Sequence, residues 1–275
     1  MLHDTNSWDA LERELDAWAG AGRVATLWWR DDDCVEPTPA LDRLLAISAE
    51  TAAPLALAVV PARLSTALPA RLARAAETAR VTLLQHGYAH RNHAPAGRKK
   101  QELDPERSLP GMLDELARGA ARLTAQFGTE AAITSLPVLV PPWNRIDPRL
   151  PDRLVPLGFR GLSTDGPRPA AETVPGLRQA NTHVDLLRAQ RKTGTIDPDQ
   201  VLSDLVGHLA ARRRGEVDAE EPSGLLTHHL AHDAASWALL ERLLKRLGGH
   251  GAPRFLEPAE VFACPAARPA ARSAA

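Results

Sequence analysis

The chain has little cysteine, no excess of charge of either sign and no long apolar run. Its two cysteines, Cys34 and Cys264, stand far apart and suggest no disulfide framework. Lysine and arginine number 33 against 34 aspartates and glutamates, a formal charge of −1, so there is no electrostatic footprint for nucleic acid or an anionic membrane. No stretch of about eighteen apolar residues occurs, and no membrane insertion is expected. The opening Met1-Leu-His-Asp-Thr-Asn-Ser-Trp-Asp9 has no basic segment leading into an apolar core. The expectation is therefore a cytoplasmic protein. A Gly-rich phosphate loop, internal repeats and an inter-domain linker are also missing. What remains is an ordinary globular composition, 44% apolar and 24% charged, long enough to bury a large core.

Against that background one stretch stands out, Val81-Thr-Leu-Leu-Gln-His86-Gly-Tyr-Ala-His90-Arg-Asn-His93. Its apolar start reads as a short buried strand. His86 and His90 follow, four apart; a helix starting at Gly87 would put both imidazoles on one face. Two imidazoles at that spacing can chelate a divalent metal, zinc being the usual occupant. The alternative is a polar loop that happens to be rich in histidine. In the familiar two-histidine zinc motif a glutamate follows the first histidine. Gly87 holds that place here, so a third ligand and a base must come from elsewhere.

Along the chain, helices and strands alternate. A helix from about Trp8 to Ala19 precedes a strand from Val24 to Trp29 that runs into Arg30-Asp31-Asp32-Asp33-Cys34. Thr38-Pro39 caps the next helix. Pro54 to Val60 is a strand buried on both faces, and a helix near Pro69–Thr78 leads to the Val81 strand. The polar segment from Ala94 to Leu109, with Lys99-Lys100-Gln101-Glu102, reads as a solvated loop or a lid. A helix to Phe127 precedes a strand that ends at Pro141-Pro142-Trp143-Asn144, since two prolines cannot continue a ladder. Asp147-Pro148 opens a short helix. Asn181, His183 and Asp185 alternate and would share one face of a strand from Leu177 to Leu187. Asp197-Pro198 starts a helix to Arg214, Gly224 to His229 is a strand ending in paired histidines, and a helix spans about Ala235–Leu247. Residues 1–262 form one domain, and the Ala/Pro/Arg tail of residues 263–275 has too little to bury. Such alternation argues for a parallel α/β sheet or barrel.

Four polar clusters each follow an apolar strand directly: Asp31-Asp32-Asp33, His86/His90, Trp143-Asn144 and His228-His229. In parallel α/β architectures strand C-termini share one end, where sites are built. Two histidines and one aspartate would leave a zinc ion an open position for water, whose pKa falls toward roughly 7. A second aspartate could then act as base and a histidine as acid. This is equipment for hydrolysing an amide or ester.

The order Asp-Asp, His-x3-His, Pro-Pro-Trp, Leu-x-His resembles the polysaccharide deacetylase family of carbohydrate esterases, with NodB-homology domains, across roughly Val24 to Leu256. The resemblance implies a distorted (β/α) barrel of about seven parallel strands, a divalent metal, most simply zinc, and N-deacetylation of an acetamido sugar. By the same resemblance Asp32 is the catalytic base, Asp33, His86 and His90 bind the metal, and His228 is the general acid. Pro141-Pro142-Trp143 matches the family's groove wall; Pro142, Trp143, Asn144, Arg145 and His183 are the expected substrate contacts. Three departures mark this chain. Arg30-Asp31-Asp32-Asp33-Cys34 replaces the usual Thr-Phe-Asp-Asp-Gly, so Asp31/Asp32 is the alternative pair. Val140 stands where the family's arginine precedes the Pro-Pro pair, with Arg30 and Arg145 as substitutes. No export signal is visible, which points away from a cell-wall polymer. Two other readings remain: a catalytically silent barrel that binds a saccharide or a protein, and a magnesium site for phosphate chemistry. Adjacent imidazoles favour zinc over magnesium.

Overall fold

The structure, a computed structural model, describes residues 3–128, 133–191 and 194–263. All of the expected tail except residue 263 lies outside them. In chain order the elements are α1 (His3–Gly20), β1 (Ala25–Cys34), α2 (Pro39–Thr51), β2 (Leu55–Val59), α3 (Leu68–Ala75), β3 (Val81–His86), α4 (Leu109–Phe127), β4 (Thr134–Val140) and α5 (Pro151–Leu154). There follow β5 (Gly161–Leu162), β6 (Glu172–Val174), β7 (Leu177–Gln179), β8 (Val184–Asp185), α6 (Leu186–Arg191), α7 (Pro198–Arg214), β9 (Ser223–Thr227), α8 (Ala234–Gly249), β10 (Pro253–Phe255) and α9 (Pro258–Val261). One curled sheet runs β6-β7-β5-β4-β3-β2-β1-β9-β8, with β10 beside the first half of β1. Every pairing is parallel except β6 with β7. The expected distorted barrel of about seven strands is thus a curled ten-stranded sheet, several strands being only two or three residues long.

Alternation along the strands separates two cores. Leu27, Trp29, Leu55, Leu57 and Val59 face the helices, where they meet Leu11, Leu15 and Trp18 of α1 and Leu41 and Leu44 of α2. Trp28, Ala56, Ala58, Leu84, Val138 and Val140 face inward, and Phe262 closes the base of the curl edge-on to Trp28, with ring centroids 5.5 Å apart. Each fully buried side chain of this size contributes roughly 1.5–3 kcal/mol. Gly224 on β9 keeps the interior open for Trp28, because a Cβ there would lie 2.6 Å from the indole Nε1. Above Trp28 on the same inward face come Arg30 and then Asp32. The apolar base therefore gives way to a polar mouth at the strand C-termini.

Helix starts follow the local sequence signals. Thr38 accepts the Leu41 N–H at 3.0 Å with Pro39 in the first turn, and Asp197 accepts that of Gln200 at the start of α7. The short helix expected at Asp147-Pro148 begins instead at Pro151, because Asp147 binds the Arg149 backbone and guanidinium. The strand expected from Leu177 to Leu187 is divided into β7, which pairs with β5, and β8, which pairs with β9. Among the described residues no helix is long and apolar enough to cross a membrane.

Candidate metal centre and active site

The three consecutive aspartates at the end of β1 have three different addresses. Asp31 is fully buried; it accepts the Thr227 hydroxyl at 2.6 Å and the His229 N–H at 2.9 Å, and its Oδ1 lies 2.5 Å from His229 Nδ1. Asp32 turns to the opposite, inward face, as the next residue of a strand must. There it meets Arg30: Nη2 donates to Oδ2 at 3.0 Å and Nε lies 2.9 Å from Oδ1. At Asp33 the alternation breaks. Its φ is +73°, and the β1–β2 register shifts between Asp31 and Cys34. This irregularity brings Asp33 to the same mouth as Asp32, as bulges near sites often do.

Asp33 Oδ1 lies 3.2 Å from His86 Nε2 and 3.1 Å from His90 Nε2, and the three donor atoms are all within 4.8 Å of one another. His86 Nδ1 lies 3.0 Å from the Val140 carbonyl. That bond places the ring proton on Nδ1 and leaves the Nε2 lone pair facing Asp33, the tautomer a metal ligand needs. A carboxylate and two imidazoles converging in this way fit a divalent ion such as zinc. The two histidines differ. Burial lowers the pKa of His86, but Asp32 and Asp33 outweigh it and raise the net value. Burial and the neighbouring His86 lower that of His90. For Asp33 burial acts upward, and the two histidines overcome it and hold the carboxyl well below its usual range.

No helix follows His86. Gly87 and His90 both have left-handed backbones, φ +54° in each, and His86 is presented from the end of β3, His90 from the loop that follows. The Glu102 carboxylate, fully buried, accepts the N–H groups of Tyr88 at 3.1 Å and Ala89 at 2.7 Å in place of helical carbonyls. In sequence Glu102 falls within the polar segment that reads as a solvated loop or a lid. No local signal marks it, because the amides it serves are more than ten residues away. His93 takes no part in this cluster.

The cleft around this triad, about 350 Å³, is lined by Asp32, Asp33, His86, His90, Trp143, Asn144, Arg145 and His228, together with Lys99, Asp165, Asp185 and Arg188. Trp143 and Asn144 both have φ +57°, rare for non-glycine residues, and the Trp143 ring centroid lies 4.4 Å from that of His90. Asn144 turns inward, where its Oδ1 accepts Arg30 Nη2 at 2.7 Å. Ser163 Oγ accepts Arg30 Nη1 at 2.6 Å. Of the two arginines weighed as substitutes at Val140, Arg30 meets Asp32, whereas Arg145 donates to the Lys100 carbonyl at 2.8 Å. Pro142 lies beneath the cleft, buried against Gly87, where a Cβ would come within 2.6 Å of the proline ring.

His183 is placed elsewhere, because the strand expected to carry it toward the mouth breaks before it. Its ring stacks on His208 with centroids 3.5 Å apart, and its Nε2 lies 3.4 Å from Glu221. These three residues bring their donor atoms within 4.8 Å of one another as well. However, the Gly224 N–H donates to His183 Nδ1 at 3.0 Å, so the neutral ring carries its proton on Nε2 and presents a donor there rather than a lone pair. His228 does line the cleft, and its Nδ1 is buried without a hydrogen-bond partner. His229 pairs with Asp31 on the helix-facing side of the sheet, away from the mouth, and the ring that meets Trp237 is His232, with centroids 4.6 Å apart.

Structural comparison finds many similar chains, among them several of low sequence identity. A putative polysaccharide deacetylase from Mycobacterium smegmatis matches with a TM-score of 0.61 and 16% identity, over 88% of this chain and 90% of that one. The Bc1960 peptidoglycan N-acetylglucosamine deacetylase, solved with a hydroxamate-type benzamide, matches at 0.56 and 14%, over 90% and 96%. BA3943, a CE4 family pseudoenzyme from Bacillus anthracis, matches at 0.50 and 14%, over 87% of this chain and 66% of that one. No protein-family model and no curated protein matches the chain by sequence. The fold is that of the NodB-type deacetylases.

Proposed function

We propose that this chain belongs to the polysaccharide deacetylase family and is a metal-dependent hydrolase that removes an acyl group, most simply acetyl, from the amide nitrogen of a sugar. The observation that carries the reading is the convergence of Asp33, His86 and His90 in one cleft with a separate carboxylate, Asp32, and a separate imidazole, His228. Asp33, His86 and His90 would hold a divalent ion, zinc by the chemistry of the donor set, which when bound supplies Lewis-acid activation of the attacking water and of the acyl oxygen.

The remaining work falls to the chain's own side chains. Asp32 takes the proton from the attacking water. Arg30 fixes the direction of its carboxylate and is itself fixed by Ser163 and Asn144. His228 delivers a proton to the departing nitrogen, because an amine cannot leave an amide as an anion. Trp143, Asn144 and Arg145 form the wall against which the sugar packs.

A second reading is a silent barrel that binds a saccharide, and the likeness to BA3943 keeps it in view. The two readings differ in what metal-loaded protein does with a panel of N-acetylated sugars. Acetate release that drops by roughly 10²–10⁴ in Asp32→Asn, with metal retained, supports the hydrolase. In His228→Ala the loss on an acetamide should far exceed that on an activated ester, whose leaving group needs no proton. Metal-loaded protein that binds sugar yet releases no acetate from any of the panel would select the silent barrel.

A further inference from the structure

The rim of the cleft is electrostatically lopsided. On one side Asp165 and Asp185 share Arg188, at 2.6 and 3.9 Å. On the other stand Lys99 and Arg145, and among the described residues neither has a carboxylate partner. Neighbouring arginines on that side are provided for: Arg98 pairs with Glu106, Arg107 with Glu115 at 2.9 Å and Arg149 with Asp147. The carboxylates within the cleft are likewise engaged, Asp32 by Arg30 and Asp33 by His86 and His90. Two unpaired cations thus face the space a sugar would occupy.

The segments that carry them are tied together. The Arg145 guanidinium donates to the Lys100 carbonyl at 2.8 Å, which ties the Lys99 loop to the Trp143–Arg145 turn. The loop is closed by the His93 N–H on the Gln101 carbonyl at 2.9 Å and by Asn92 Oδ1, which accepts the Gln101 N–H at 2.9 Å. Its far end is anchored by buried Glu102. Two like charges that line one cleft on neighbouring, tied segments stay uncompensated until an anion enters it. A guanidinium and an ammonium together suit the oxygens of a carboxylate or a phosphate.

We infer that the substrate is an N-acylated sugar that also carries an anionic group, a carboxylate or a phosphate, held at the rim by Lys99 and Arg145. This deepens the deacetylase reading and rests on it for the acyl group, but the rim's charge preference can be measured without turnover.

The test is calorimetric titration of zinc-loaded protein with three sugars: a methyl N-acetylglucosaminide (neutral), N-acetylmuramic acid (carboxylate) and N-acetylglucosamine 6-phosphate. Acetate release is followed in parallel. One of the anionic sugars should bind about tenfold or more tightly than the neutral one, with the advantage shrinking as salt rises. Which of the two does so identifies the group. In a Lys99→Gln, Arg145→Gln double variant the ratio should fall to about twofold or less. Lys100→Gln, which removes a neighbouring charge outside the cleft, should keep it. Equal binding of all three sugars, no binding of any, or an advantage that survives the double variant would each overturn the inference. Failure of acetate release with the binding preference intact would count against the hydrolase reading alone.

Discussion

Arg30 and Asp32, two residues apart on β1, share its inward face and form a buried ion pair, with N···O distances of 2.9 and 3.0 Å. The same guanidinium reaches Ser163 and Asn144, so it joins three strand ends at one carboxylate. Arg30→Met would leave that carboxylate buried and unpaired. We expect a lower melting temperature, consistent with a loss of roughly 3–5 kcal/mol, and loss of turnover. Arg30→Lys keeps the charge without the fork and should fold, with kcat reduced by about 10² through misdirection of Asp32. Melting curves and acetate release check both; full activity in Arg30→Met would remove Arg30 from the positioning role.

Asp31 and Asp33 should separate stability from metal binding. Asp33→Ala is expected to lower the metal content measured by elemental analysis to well below one ion per chain, with little change in the melting temperature of the metal-free protein. Asp31→Ala removes the partner of buried His229 and of Thr227, so the metal-free protein itself should melt lower. Chelation of the native protein should abolish acetate release. If Asp31→Ala depletes the metal and Asp33→Ala does not, the two assignments are reversed.

Gly87 has no room for a side chain. Its φ of +54° disfavours one, and a Cβ would lie 2.6 Å from the Pro142 ring. Gly87→Ala should therefore destabilise by roughly 1–3 kcal/mol and weaken metal binding by moving His90. Glu102→Ala leaves the Tyr88 and Ala89 amides without their acceptor and should weaken metal binding with the triad itself unchanged. Native metal affinity in both variants, measured by competition with a chelating dye, would show that His90 is positioned some other way.

Two histidines outside the metal cluster should make the fold acid-sensitive. His208 is held neutral to about pH 2 by burial, with His183 and Arg212 adding to the effect. His232 is held neutral to about pH 4 by burial, which the attraction of Asp31 and Asp233 does not overcome. In the unfolded chain both would take up a proton near 6.5. The unfolded state thus binds more protons below that value, and stability falls as pH drops from about 6.5 toward 4. Denaturant midpoints across this range should decline less steeply in a His208→Gln, His232→Phe double variant. An unchanged slope would mean that these rings contribute nothing to it.

The alternation of apolar strands with capped helices is a local property, and it determined the parallel α/β architecture and the gathering of polar clusters at one end of the sheet. The residues that line the cleft were mostly readable as well, since Asp32, Asp33, His86, His90, Trp143, Asn144, Arg145 and His228 all lie at or just beyond the end of an apolar run. What only the tertiary structure decided was which neighbour each side chain meets. Three adjacent aspartates look alike in sequence. A left-handed residue at Asp33 breaks the alternation, and Asp31 alone finds His229, 198 residues away. His183 has the composition of a site residue, but the strand carrying it is interrupted, so its ring stacks on His208. Glu102 owes its importance to the Tyr88 and Ala89 amides, and Arg30 to the Ser163 and Asn144 oxygens that remote segments bring to the guanidinium beside Asp32. Periodicity and spacing report which face a residue occupies; long-range pairing sets the partner on that face, and with it the chemistry.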